Sequence, residues 1–257
     1  MSKANALIVT LLLVLATTAC TYISGPVIMG SLSALQPPSP PTLFTTPEDA
    51  IRHYVAGVAA GDVTQILQAC AVEEMATNFR FDRYTERLGV LLPTQALAPA
   101  DHPLYIEMNR AQLTAQHLNR VKILTYSLLA EEPVADAVPI RIDAARTTQF
   151  LNAVDPQRLA TLTVEQIALP NAMVMASELY QENTARAAAV HGADEWSERM
   201  TLIRFAGDTY LLGFTLVRYG ESWKISEAVS PLAGTNPLGA AEPLTVAEFE
   251  SMTNHTE

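Results

Sequence analysis

The last third of the chain constrains the fold most. Met200 to Phe205, Tyr210 to Tyr219 and Trp223 to Ala228 are apolar and aromatic runs separated by Gly207-Asp208 and Gly220-Glu221. Short glycine-bearing turns between such runs join antiparallel neighbours, so the spacing predicts a three-stranded meander. Alternation along its last strand places Trp223 and Ile225 toward a core, with Lys224 and Ser226 toward water. Residues after Gly234, 236–257, look like a tail with a frayed helix near Leu244 to Met252.

The first half is helical. Thr46 is a capping residue, Pro47 suits the first helical position, and Glu48 and Asp49 suit the positive end of the dipole. Ile51, Tyr54, Val55 and Val58 follow at helical spacing. Gly61 closes this helix and Asp62 caps another, whose apolar face is Val63, Ile66, Leu67 and Cys70. A third helix is expected over Phe81 to Leu92, ended by Pro93, and a long one over Leu104 to Leu129. Val138, Ile140 and Ile142 alternate as a strand would, and Asp143 caps a short helix over Ala144 to Val154. A strand over Leu159 to Leu169 and a helix over Asn171 to Val190, stopped by Gly192, complete an α+β pattern.

PEDAIRHYVAGVAAGDVTQIL resembles the opening of NTF2-like proteins, and TYLLGFTLVRYGESWKISEAVSPLAG resembles the end of that fold. The pairing also resembles a group of bacterial extracytoplasmic proteins that carry a helix ending in HGADE before the meander. The resemblance implies a curved antiparallel sheet with N-terminal helices over residues 44–235, elaborated by helices in the middle. It implies architecture and not activity, because the family holds isomerases, dehydratases, ligand-binding domains and interaction modules.

The N-terminus supplies an address. Lys3 precedes an uncharged apolar run, Ala6 to Ala16, and small residues lead into Cys20. Such a run is the length of a secretory signal and shorter than the roughly 20 residues of a membrane span. Residues 1–19 are therefore expected to be a signal peptide of lipoprotein type, with Cys20 the lipidation site. An uncleaved anchor helix reaching about Ile23 is the alternative, since Thr17 stands where leucine is usual and the first acid is Glu48. Both of these options are expected to leave the body extracytoplasmic and held to a bacterial cell membrane; ordinary signal cleavage is the third option and would leave no tether. Residues 20–43 form a linker in which Pro37-Pro38-Ser39-Pro40-Pro41 favours extended polyproline geometry.

Without residues 1–19 the chain has 15 basic and 27 acidic residues, a balance of −12. That excludes nucleic acid as an expected partner, because phosphate binding needs basic surface. With Cys20 acylated, Cys70 has no thiol to pair with and is expected to be a core residue.

No motif names a reaction, and no cofactor or metal is expected. Asp49 and His53, four apart on the first helix, are the candidate acid–base pair, and Tyr54 with Asp62 could supply a phenol and a carboxylate. His191 and Glu195 are four apart, but Gly192 interrupts their helix and argues against a metal pair. His102 and His117 are isolated, and Asn254-His255-Thr256 matches a glycosylation sequon. The sequence favours a non-catalytic domain that binds a small apolar ligand or an envelope protein. The alternative is an enzyme of isomerase or dehydratase type on a small apolar substrate.

Overall fold

Thr46 starts the fold as its chemistry dictates. Its backbone is extended and its hydroxyl accepts from Asp49 N at 3.1 Å, so helix α1 runs Pro47–Ala60 and ends at Gly61 with φ 65°. Ile51, Tyr54, Val55 and Val58 are buried, the three aliphatic side chains each stabilising the core by roughly 1.5–3 kcal/mol. Asp62 caps α2 (Val63–Ala69) through Gln65 N at 3.0 Å. The two helices approach so closely that a Cβ on Gly57 would lie 2.9 Å from Ile66 N.

The computed structural model describes residues 42–94, 96–130 and 143–254. Contacts divide the chain into Met1–Pro40 and Pro41–Glu257, and the described body belongs to the second unit. The signal segment, Cys20, most of the linker, the expected strand over Val138 to Ile142, and His255 with Thr256 lie outside the described residues. No helix among the described residues is long and apolar enough to cross a membrane.

Several helices follow the expectations, and the departures have local causes. Helix α3 (Val72–Asn78) was not among those expected, because Ala71 gives no capping signal. Its start is fixed from outside, by Ala71 N donating to Ile225 O at 2.8 Å. Helix α4 (Phe81–Leu88) stops earlier than expected, at Gly89 with φ 65°. Helix α5 (Pro103–Leu129) is the long one, and α6 (Ala144–Ala153) is capped by Asp143. The strand expected from Leu159 begins instead as a 3-10 turn, Pro156–Thr161, so β1 is only Thr163–Ala168. The helix expected over Asn171 to Val190 is split into α7 (Ala172–Met175) and α8 (Glu178–Val190), with Ser177 capping the second.

The meander is present as β2 (Glu195–Phe205), β3 (Asp208–Tyr219) and β4 (Ser222–Glu227). The first turn falls on Ala206-Gly207, both at positive φ (52° and 99°), as a two-residue hairpin matched to strand twist demands. The antiparallel order is β1-β2-β3-β4, and β5 (Glu242–Pro243) pairs with β3 at Tyr210 and Leu211. Helices with an open antiparallel sheet make the chain α+β.

Both faces of this sheet are covered. Ile203, Leu212, Phe214, Leu216 and Ile225 join α1 and the end of α5 (Leu124, Leu128) in the main core. On the opposite face Met200, Leu202 and Leu211 pack on Ala233 and Phe249. Trp196 and Val217 join Met75, Phe79, Leu113 and Val190. Residues 236–254 therefore do not trail away: helix α9 (Val246–Asn254) lays Phe249, 1 % exposed, against the sheet.

Double coverage also corrects the expectation for β4. Lys224 and Ser226 do not face water; they are 6 % and 4 % exposed. Alternation separates core from solvent only where one face is wet. Lys224 Nζ donates to Gln68 O at 2.6 Å and Thr42 O at 3.2 Å, and lies 5.0 Å from the Phe44 ring centroid. Burial pulls its pKa below the ordinary lysine value, opposed by Glu74 and Cys70. Trp223 N also donates to Phe44 O at 2.8 Å, so residues 42–44 are fastened to the β4 edge. Lys224→Met leaves both carbonyls unpaired and is expected to lower stability by about 1–3 kcal/mol in urea denaturation. A loss near zero would show that the ammonium is not needed there.

Candidate functional site

The residues singled out as catalytic candidates do not meet in a cavity. Asp49 is exposed in the first turn of α1, where its backbone N–H meets Thr46. His53 Nε2 lies 3.3 Å from Gln68 Oε1, with its ring 4.9 Å from that of Phe44. Tyr54 is 0 % exposed, edge-on to Phe214 at 5.5 Å, with no partner for its hydroxyl among the described residues. Burial drives its pKa far above the ordinary phenol value, so it is no proton carrier at neutral pH. Asp62 is spent on the α2 cap.

The remaining singled-out residues have structural places. Cys70 is buried, its thiol donating to Ile66 O at 3.3 Å, and burial pushes its pKa well up. His102 Nδ1 caps α5 through Leu104 N at 3.1 Å. His117 is buried on α5, and burial with Arg120 nearby pushes its pKa down to about 4. Glu195 pairs with Arg218 at 3.0 Å and not with His191. Among the described residues no group of three or more His, Cys, Asp or Glu could hold a metal ion.

His191 occupies a different setting, built by three elements. Helix α8 ends on it: Gly192 follows at φ 62°, and Ala193 N and Gly192 N donate to Ala188 O and Ala189 O at 3.0 and 3.3 Å. Gly192 is required twice over, because a Cβ there would also meet Asn78 O at 2.8 Å. Tyr219 OH donates to His191 O at 2.9 Å, tying the helix end to β3. The imidazole stacks on Trp196 at 6.0 Å and 22°, with Phe79 5.9 Å away on a tilted plane.

This ring lines a cavity of about 240 Å³. Phe79, Tyr84, Leu97, Leu113 and Trp196 line it, together with the charged side chains of Arg87 and Glu227. Asn109 fixes the Leu97 wall, since its side chain accepts from Ala98 N at 2.7 Å and donates to Ala98 O at 2.9 Å.

Burial, aided by Arg87, pushes the His191 pKa down to about 4, so the ring is neutral at pH 7. Its Nδ1 is sealed without a partner among the described residues. Sealing a lone pair costs less than sealing an N–H, so we assign the proton to Nε2, the unsealed nitrogen. The cavity thus has aromatic walls and a neutral imidazole donor, among polar lining residues that include Tyr84, Gln116 and Ser226. An uncharged ring draws no charge–dipole stabilisation from the negative end of the helix.

Of these residues only His191 stands out in the sequence; Phe79, Tyr84, Leu97, Arg87 and Trp196 do not. One signal was available: α4 has an apolar stripe at Phe81, Tyr84 and Leu88, yet no residue of α4 is fully buried. Part of that stripe lines space in place of filling a core.

No family model and no curated protein matches the chain. Among solved structures it is similar to a cystatin-like protein from Ruminococcus gnavus ATCC 29149, known at 2.10 Å. The TM-score is 0.52 and the identity 21 %, over 77 % of this chain. The fold is similar to that of a cystatin-like protein. The likeness spans 45 % of that protein's length and concerns fold alone. It overturns the NTF2-like resemblance, which no family model supports. The resembling segments encode a capped helix, glycine turns and alternating strands. Those features specify caps, turns and core, and any helix-and-sheet fold of this kind shares them.

Proposed function

We propose that this chain is a membrane-tethered extracytoplasmic lipoprotein whose body is a non-catalytic binding domain. Its ligand is a small, largely apolar molecule with a hydrogen-bond acceptor, held in the His191 cavity. The observation that carries this reading is the pairing of aromatic walls with a single neutral imidazole, the usual make-up of a small-molecule site. The enzyme alternative draws no support from Asp49, His53 and Tyr54, none of which lines this cavity. The tether rests on Lys3, the apolar run Ala6 to Ala16, Cys20 and the proline-rich linker.

Two measurements test the reading. Native mass spectrometry of the full-length chain released from membranes is expected to show a bound small-molecule mass. Ala96→Trp, which fills the cavity, is expected to lose it. An identical mass profile for both proteins would sink the ligand site. Metabolic labelling with a fatty-acid analogue is expected to tag the wild type and not Cys20→Ser; equal labelling would sink lipidation.

A further inference from the structure

Arg87 lines two cavities at once. Besides the His191 cavity it borders a second one, of about 510 Å³, between α4 and α8. Among the described residues, that second cavity is lined by Arg83, Glu86 and Arg87 from α4 and by Arg186 and Ala189 from α8. Successive residues of α8 pass from one space to the other, since Ala189 faces the second while Val190 and His191 face the first. Among the described residues, three arginines and one glutamate line that space, an unusual concentration in a chain of net charge −11.

The partners of these arginines differ. Arg83 pairs with Glu86 at 2.8 Å and Arg186 with Glu182 at 3.2 Å. Both are exposed pairs within one helix, of the kind that contributes little and reopens readily. Arg87 makes no ion pair or hydrogen bond among the described residues, and it sits near enough to His191 to oppose that ring's protonation. An unspent guanidinium beside an aromatic cavity is a fork of donors for a carboxylate, sulfonate or phosphate group. The polarity of the site fixes the direction of entry. Each cavity is lined by one glutamate, but Glu227 faces only Arg87 in the His191 cavity, whereas Arg83, Arg87 and Arg186 outnumber Glu86 among the described residues of the second. The acidic group therefore belongs at the arginine end and the apolar body against Phe79 and Trp196.

We propose that the ligand is an amphipathic anion, with its apolar body in the His191 cavity and its acidic group held by Arg87 with Arg83 and Arg186. This deepens the proposed binding function and rests on it.

The test uses two probes of one shape, 1-naphthaleneacetate and 1-naphthaleneethanol, titrated calorimetrically into the full-length chain in detergent against a micelle blank. The carboxylate is expected to bind at least roughly ten-fold tighter than the alcohol, and added salt is expected to weaken the carboxylate alone. Arg87→Met is expected to lower carboxylate affinity about ten-fold and leave the alcohol within about two-fold. Arg186→Met, on the opposite helix, is expected to act in the same direction, and Ala96→Trp to abolish both. Equal affinities for the two probes, unmoved by Arg87→Met but abolished by Ala96→Trp, would overturn the anion site and leave the cavity standing. Failure of both probes to bind, or binding indifferent to Ala96→Trp, would overturn the cavity and the anion site together.

Discussion

Lowering the pH from about 6.5 to 4 is expected to remove up to about 6 kcal/mol of folding stability through two histidines alone. His117 and His191 are both pushed down to about 4 by burial, with Arg120 and Arg87 respectively opposing the proton. In the unfolded chain each returns to about 6.5. Between those values the unfolded chain binds protons that the folded chain refuses, so stability falls as pH falls, by at most about 3 kcal/mol per ring. Domains of this size are stable by about 5–15 kcal/mol, so the loss is enough to unfold a marginal one.

The window separates this effect from that of the carboxylates. Glu73, held low by the hydrogen bond from Arg110, contributes stability that is lost only as pH falls below the ordinary glutamate range. Denaturant midpoints measured at intervals from pH 7.5 to 4 are expected to decline from about pH 6.5 downward. His117→Met, which keeps the volume and removes the titration, is expected to remove about half of that slope. A wild-type profile flat to pH 4.5 would refute the account.

The same two residues show what a sequence can and cannot convey. Their positions on helices were legible: His117 on the long helix, and His191 at the end of another before Gly192. The caps at Thr46, Asp62 and Asp143 and the meander were legible for the same reason, because each rests on residues next to one another in the chain. The burial of Lys224 was not. It depends on Gln68 and Thr42, which are 156 and 182 residues away in the chain. The start of α3 likewise depends on a bond from Ala71 to Ile225. The cavity is the extreme case: Phe79, Leu97, Leu113 and Trp196 each read as an ordinary core residue, and only packing reveals that they fail to close on one another.

Gly213→Ala is expected to be among the most damaging single substitutions in the chain, costing about 3 kcal/mol or more by overpacking. Gly213 lies mid-strand in β3 and its φ is not in the left-handed region, so flexibility is not what selects glycine here. Space is. A Cβ would lie 2.3 Å from Thr235 Oγ1, 2.4 Å from Ser230 N and 2.7 Å from Ser230 Cβ.

Those atoms belong to a turn that the sheet face cannot do without. Ser230 N donates to Thr235 Oγ1 at 2.8 Å, and Thr235 Oγ1 to Ser230 O at 3.1 Å. The turn then presents Ser230 Oγ and Leu232 N to the buried Glu198 carboxylate, at 2.6 and 3.0 Å, with Tyr180 OH a third donor at 3.3 Å. Pushing the turn outward strips two of three donors from a buried carboxylate, which adds desolvation cost to the steric one. The damage therefore has a measurable coupling. Thr235→Ala alone is expected to destabilise by about 1–2 kcal/mol, because it unpairs Ser230 N. Combined with Gly213→Ala it relieves the closest contact, so thermal or urea unfolding of the double variant is expected to show a cost at least about 1 kcal/mol below the sum of the singles. Strict additivity would mean that the close approach of turn to strand is not what excludes a side chain at position 213.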